Sequence, residues 1–258
     1  MHISIQQKST KLFLILSSFF VANALIAECI GVKIFSLERT LGFLPLNMTV
    51  FGEKGISFSL TCGVLLWPLE FVMTDIINEY FGAKGVRRIS YIAVALISYA
   101  FIMFYFAMSL TPADWWPQSN LSKGVPDMTA AFNSIFGQGM WIIFGSLSAF
   151  LVSQVVDVSI FHYIKKKTGD KKMWLRATGS TVVSQLIDSF IVLFIAFYIG
   201  NNWSLTLVLS VCLFNYTYKF IAAIFLTPVI YLVHKLIDNF LGKELSEEMR
   251  TAAMKSGS

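Results

Sequence analysis

Apolar residues gather in six stretches along this chain, at about 12–33, 56–81, 89–110, 139–164, 174–199 and 206–234. Each is close to the roughly 20 residues that a helix needs to cross the hydrocarbon core of a bilayer. The connections are too short for an additional soluble domain. The pattern predicts an all-α membrane protein with six transmembrane helices, forming a single domain over residues 1–236. Residues 237–258 read as a polar cytoplasmic tail, a solvated helix that frays.

Local signals refine this outline. Lys8 and Lys11, an apolar core from Leu12 to Val21 and Ala22-Asn23-Ala24 have the layout of a cleavable secretory signal. Apolar character continues to Ile34, so a retained first helix is expected. Gly42, Pro45 and Gly52 mark turns in the loop that follows. Pro68 and Pro228 lie inside apolar stretches and predict kinks, because proline gives nothing to the helix ladder. Trp115 and Trp116 suit an interfacial aromatic belt, and Pro126-Asp127 precedes an amphipathic stretch, Met128 to Phe136, that suits the membrane surface.

Composition supports the membrane assignment: 56% of residues are hydrophobic, 14% are charged and the mean hydropathy is +0.68. A soluble domain carries about 25% charged residues. The net charge of +5 is explained by where Lys and Arg lie. With the N-terminus inside, fifteen fall in cytoplasmic segments, four on the opposite side, and Lys219 within a span. This asymmetry predicts that both termini are cytoplasmic and argues against a nucleic-acid partner. Cys29, Cys62 and Cys212 show neither metal spacing nor a disulfide framework, and His2, His162 and His234 are scattered. No metal, cofactor or catalytic residue is expected.

The informative polar residues are those inside the stretches. Ser153-Gln154-Val155-Val156-Asp157 in the fourth returns as Ser184-Gln185-Leu186-Ile187-Asp188 in the fifth, with a basic loop over 165–172 between them. On a helix, Gln and Asp three apart share a face, and a short loop makes the helices antiparallel neighbours. The second stretch adds Trp67, Glu70, Phe71, Thr74, Asp75, Asn78 and Glu79, the first Asn23 and Glu28, and the sixth Asn215 and Lys219. Counting from the inner boundaries at ~1.5 Å per residue puts Asn23, Glu70, Asp75, Asp157, Asp188 and Lys219 in one layer about 12 Å thick. Carboxylates inside a bilayer are costly and normally face a protein interior or wet cavity. Transporters keep substrate sites at this depth, whereas interhelical glue needs no common level. Six carboxylates face one central cation, Lys219, which is expected to pair with Asp188 or Asp157. An intramembrane enzyme is disfavoured, since no Ser/His or His/Glu pair shares a span at suitable spacing. A scaffold would have no use for the layer.

Several segments taken together resemble the queuosine precursor transporter family, also called the vitamin uptake transporter family. They are Thr74-Asp75 through Gly82-Ala83 with Arg87-Arg88, Gln154 to Asp157 with Phe161, Ser180-Thr181 with Asp188 and Phe194 to Phe197, and Tyr218-Lys219 with Pro228. The resemblance implies a six-helix bacterial inner-membrane protein importing 7-cyano-7-deazaguanine, 7-aminomethyl-7-deazaguanine or queuine by alternating access. The alternative is a substrate-capture membrane subunit of an ATP-driven vitamin importer. Expected partners are a small-molecule nucleobase and the lipid bilayer, with a homodimer left open. Under this reading Asp157 or Asp188 holds the base edge, supported by Gln154 and Gln185. Asp75 and Thr74 shape the site, Lys219 balances charge, and Asn23, Asn215 and Glu70 complete the layer. Trp67 and Phe71 are candidate stacking partners.

Overall fold

The computed structural model describes residues 5–137, 139–168 and 173–256. In chain order the elements are α1 (Ile5–Ile30), β1 (Ile34–Ser36), the single turn α2 (Leu37–Thr40), β2 (Met48–Val50), β3 (Glu53–Ile56) and β4 (Ser59–Thr61). A 3-10 turn, Cys62–Leu65, leads into α3 (Trp67–Ser109), followed by α4 (Met128–Phe136), α5 (Met140–Thr168) and α6 (Met173–Leu193). A π-helical turn, Phe194–Ile199, extends α6, and α7 (Leu205–Leu241) and α8 (Lys243–Ser256) complete the chain. Residues 169–172 of the expected basic loop lie outside the described residues. Among those described, five helical segments are long and apolar enough to cross a membrane: Gln7–Ile30, Trp67–Ser109, Met128–Thr168, Ala177–Ile199 and Leu205–Leu241.

The 43 residues of α3 contain the second apolar stretch from Trp67 onward and the third up to Ser109. At ~1.5 Å per residue they would reach ~65 Å, about twice the ~30 Å hydrocarbon core. The helix breaks at Gly82, with φ 67° and ψ −176°, in a region essentially reserved for glycine. A tight fold follows: a Cβ on Gly85 would lie 2.6 Å from Phe81 Cβ and 3.6 Å from Ile77 Cγ2. The result is two arms, 67–81 and 83–109, packed into the same core.

Two expectations fail at the start of α3. The second apolar stretch is not helical over 56–66, which forms β4 and the 3-10 turn instead. Pro68 does not kink a helix but begins one, in the first turn, where there is no N–H bond to lose. Pro228, by contrast, lies inside α7.

The two small sheets lie together at one end of the bundle. β1 pairs antiparallel with β4, and β2 with β3. Glu38 accepts the Phe58 N–H at 2.8 Å, tying α2 to the β4 approach. Glu53 accepts hydroxyls from Ser204 at 2.8 Å and Thr206 at 2.6 Å, fixing the second hairpin to the start of α7.

Side-chain packing holds the helices. In lipid there is little hydrophobic drive between helices, so close fit and polar contacts decide association. Leu12, Leu16 and Phe20 of α1 meet Ile76 and Ile77 of α3, while Phe150 of α5 approaches Phe20 and Trp67. Tyr105, Leu110, Phe225 and Leu232 point outward. At the opposite end from the sheets, α8 packs on α3 through buried Leu245, Met249 and Ala253. The expected solvated tail is therefore a docked amphipathic helix, because every fourth residue supplies an apolar contact.

Candidate functional site

The most extensive helix pairing is α5 with α6, where the repeated sequence pattern becomes a reciprocal one. Ser153 Oγ donates to Asp188 Oδ1 at 3.4 Å, and Ser184 Oγ donates to Asp157 Oδ1 at 2.9 Å. Each Ser lies four residues before its own Asp and on the same helix face. In an antiparallel pair, the Ser of one copy therefore comes opposite the Asp of the other. The two copies complete each other across the interface.

On the sheet side of this layer lies a cavity of about 460 Å³, within the ~300–1,000 Å³ typical of small-molecule sites. Its wall includes Ala27 and Glu28 of α1, Trp67 of α3, Ser146 of α5, Asp188 and Ser189 of α6, Phe197, and Asn215 and Lys219 of α7. Lys219 Nζ donates to Asp188 Oδ2 at 2.7 Å, and both side chains are more than nine-tenths buried. Of the two expected partners for Lys219, Asp188 is the one it meets. Ser146 donates to Glu28. Asn215 Nδ2 is turned to the Val211 carbonyl at 3.1 Å, and the buried Ser189 hydroxyl makes no hydrogen bond among the described residues. Gly63 is needed where the 3-10 turn crosses α1: a Cβ there would sit 2.8 Å from the Ala27 carbonyl oxygen.

The other expected residues lie outside the cavity lining, in a buried polar seam among α1, α3, α5 and α6. Asn23 Nδ2 donates to Glu70 Oε2 at 2.8 Å and to the Leu66 carbonyl at 3.3 Å. Gln154 Nε2 donates to Thr74 Oγ1 at 2.9 Å, and the Thr74 hydroxyl reaches the Glu70 carbonyl at 3.1 Å. Asp75 accepts from Thr181 at 3.2 Å and Ser180 at 3.4 Å. Gln185 is buried with neither amide atom hydrogen-bonded among the described residues, and Phe71 is fully buried. The layer thus divides into a cavity wall (Trp67, Asp188, Asn215, Lys219) and a seam (Asn23, Glu70, Phe71, Thr74, Asp75, Gln154, Asp157, Gln185).

Sequence reasoning missed a third polar group, at the α8 end. Glu79 is buried and bonded to Lys165 at 2.9 Å. His162 Nε2 meets Asn78 Oδ1 at 2.9 Å. Arg250 Nη2 donates to Asp238 at 2.8 Å and to the Tyr80 hydroxyl at 2.9 Å, while Tyr80 donates to Asp238 at 2.8 Å. Burial works against the Arg250 charge, but Tyr80, Asp238 and Glu79 outweigh it and raise its pKa. Lys165 stands in a run of three lysines and Arg250 in a polar tail, so neither gives a sequence signal.

Membrane-crossing helices, discontinuous at Gly82 and enclosing a polar cavity walled by an ion pair, define the class: a multi-pass membrane transporter. Comparison with known proteins gives the family. Residues 61–233 match the family model described as "Putative vitamin uptake transporter". The chain belongs to this vitamin uptake transporter family. It is similar to the "Probable queuosine precursor transporter" of Bacillus subtilis (strain 168), with 31% identity over 69% of this chain and 73% of that protein. It is also similar to the "Queuosine precursor transporter" of Escherichia coli (strain K12), with 25% identity over 78% of this chain and 83% of the relative. No solved structure matches.

Proposed function

We propose that this protein imports queuosine precursors, 7-deazaguanine bases, across the bacterial inner membrane, and that the base binds in the cavity between α1, α3, α5, α6 and α7. The relatives' names supply the substrate class. The observation that carries the site assignment is the Asp188–Lys219 pair on the cavity wall. A guanine-like edge presents two donors, N1–H and the exocyclic amine, beside one acceptor, the ring carbonyl. A carboxylate next to an ammonium is the complementary surface: Asp188 accepts from the two donors and Lys219 donates to the carbonyl. Asp188 is preferred to Asp157 because Asp157 does not line the cavity. Trp67 and Phe197 give the flat ring aromatic faces, and Asn215 adds an adaptable amide.

Six crossings follow if the Gly82 break turns α3 through the membrane twice, and the distribution of Lys and Arg then puts both termini in the cytoplasm. The cavity faces the outside and α8 covers the inner end. Import proceeds as the inner contacts open and the sheet end closes. The test is uptake of labelled 7-cyano-7-deazaguanine and 7-aminomethyl-7-deazaguanine by cells unable to make them. Asp188→Asn and Lys219→Met are each expected to lower uptake more than tenfold at equal membrane abundance. Wild-type uptake by Asp188→Asn would refute the site. The same assay with the purified chain alone in liposomes checks that no ATPase is required.

A further inference from the structure

The cavity does not account for Asp75 and Asp157. They come from α3 and α5, are 1% and 0% exposed, and lie within electrostatic reach of each other. Among the described residues neither has a cationic partner. The charged neighbours are occupied elsewhere: Lys219 holds Asp188, Lys165 holds Glu79, and Arg250 holds Asp238 and also approaches Glu79 at 3.9 Å. Glu79, one turn along α3, and Glu70, toward the cavity, are themselves acidic, and His162 is engaged by Asn78.

Hydrogen-bond donors are also short. The partners of the pair are three hydroxyls of α6: Thr181 for Asp75, Ser184 for Asp157, and Ser180 shared between the two. A hydroxyl has one proton to give. Those of Ser180 and Ser184 are also within reach of helix carbonyls, Ala177 at 3.1 Å and Thr181 at 3.2 Å. Asp157 Oδ2, wholly buried, makes no hydrogen bond among the described residues. Two bare charges in this setting would be expensive, and one proton taken up by the pair halves the charge to be buried. It also lowers the number of acceptor sites that the few hydroxyls must satisfy.

We infer that Asp75 and Asp157 form a proton-binding site that couples the proton gradient to import. The inference rests on the transport reading above. α6 supplies the link. Ser184, which holds Asp157, lies one turn from Asp188, which lines the cavity, and Asp188 is held in turn by Ser153 of the helix carrying Asp157. Gain or loss of a proton at the pair alters the Ser184–Asp157 contact, and with it the hairpin that presents Asp188 to substrate. Buried acids of this kind serve as proton relays in pumps and transporters.

Two measurements on the full chain test this. Infrared spectroscopy at neutral pH reads the carbonyl stretch of a protonated carboxylic acid without any substrate. The band is expected in the wild type, where buried Glu70 adds to it; the component that disappears in Asp75→Asn and in Asp157→Asn and returns in Asp157→Glu belongs to the pair. Liposome uptake of 7-cyano-7-deazaguanine is then compared with and without an inward proton gradient, using gradient-free counterflow as the reference. One proton per base under a gradient of one pH unit supports about tenfold accumulation. The ratio of driven uptake to counterflow should fall from about tenfold in the wild type to about one in both Asn variants. Persistent stimulation in those variants, a sodium gradient driving uptake instead, or no such component of the band overturns the inference. Absence of counterflow in the wild type, with that component present, overturns the transport reading and leaves the proton site standing.

Discussion

Lys219→Met is the most informative single change. Lys219 and Asp188 are joined at 2.7 Å with 5% and 9% of their side chains exposed, and among the described residues Asp188 has Ser153, at 3.4 Å, as its second partner. Removing the ammonium leaves a buried carboxylate uncompensated, at a cost of about 3–5 kcal/mol. For a chain of this size, that corresponds to a fall in melting temperature of roughly 10 °C. Replacing both members by neutral side chains, Asp188→Asn with Lys219→Met, removes the unpaired charge and should recover most of that loss, since a buried ion pair adds little net stability. Uptake should not recover, because the double variant lacks the acceptor and donor assigned to the base edge. Two charge-assisted hydrogen bonds are worth about 1.5–3 kcal/mol each, so transport should stay more than tenfold below wild type. Thermal unfolding in detergent, run beside uptake in liposomes, reads both quantities. A double variant that transports like the wild type would show that the pair is only structural glue. A single variant with unchanged melting would show that it is not buried as described.

Three further outcomes are expected. Gly82→Ala forces a side chain into backbone space that only glycine occupies freely, costing about 1–3 kcal/mol, and should lower the yield of folded protein; an unchanged yield and melting curve would refute the role of the break. Trp67→Ala should weaken substrate binding by about tenfold through loss of a ring face, at ~1–3 kcal/mol, whereas Phe71→Ala, buried away from the cavity, should lower stability more than affinity; a binding titration beside a melting curve separates them. Arg250→Ala removes bonds to Asp238 and Tyr80, costs about 2 kcal/mol, and should expose α8 to limited proteolysis, which wild-type cleavage rates would contradict.

Much of this architecture is legible in the chain because hydropathy reports length and position well. The fourth stretch, 139–164, is α5 extended to Thr168, and Met128 to Phe136 is α4, with Asp127 capping it by accepting the Thr129 N–H at 2.7 Å. The second stretch shows where the signal fails. Hydropathy does not separate a strand from a helix, and Ser57-Phe58-Ser59-Leu60-Thr61 alternates polar and apolar with the period of two that marks a strand. Pro68, twelve residues into the stretch, marks the true helix start. At the site, counting residues from a membrane boundary gives depth but not direction. Asp157 and Asp188 therefore look equivalent in sequence, although only Asp188 lines the cavity. The Lys165 and Arg250 contacts join residues 86 and 12 positions from their partners, Glu79 and Asp238, and depend on folding that no local pattern encodes.

The crossed Ser/Asp bonds of α5 and α6 carry a mechanical consequence. Sliding one of these helices past the other by a turn would sever both bonds in a single step. The two helices therefore travel as one stiff lever, and the play required for access to switch sides must come from its seams with α1, α3 and α7.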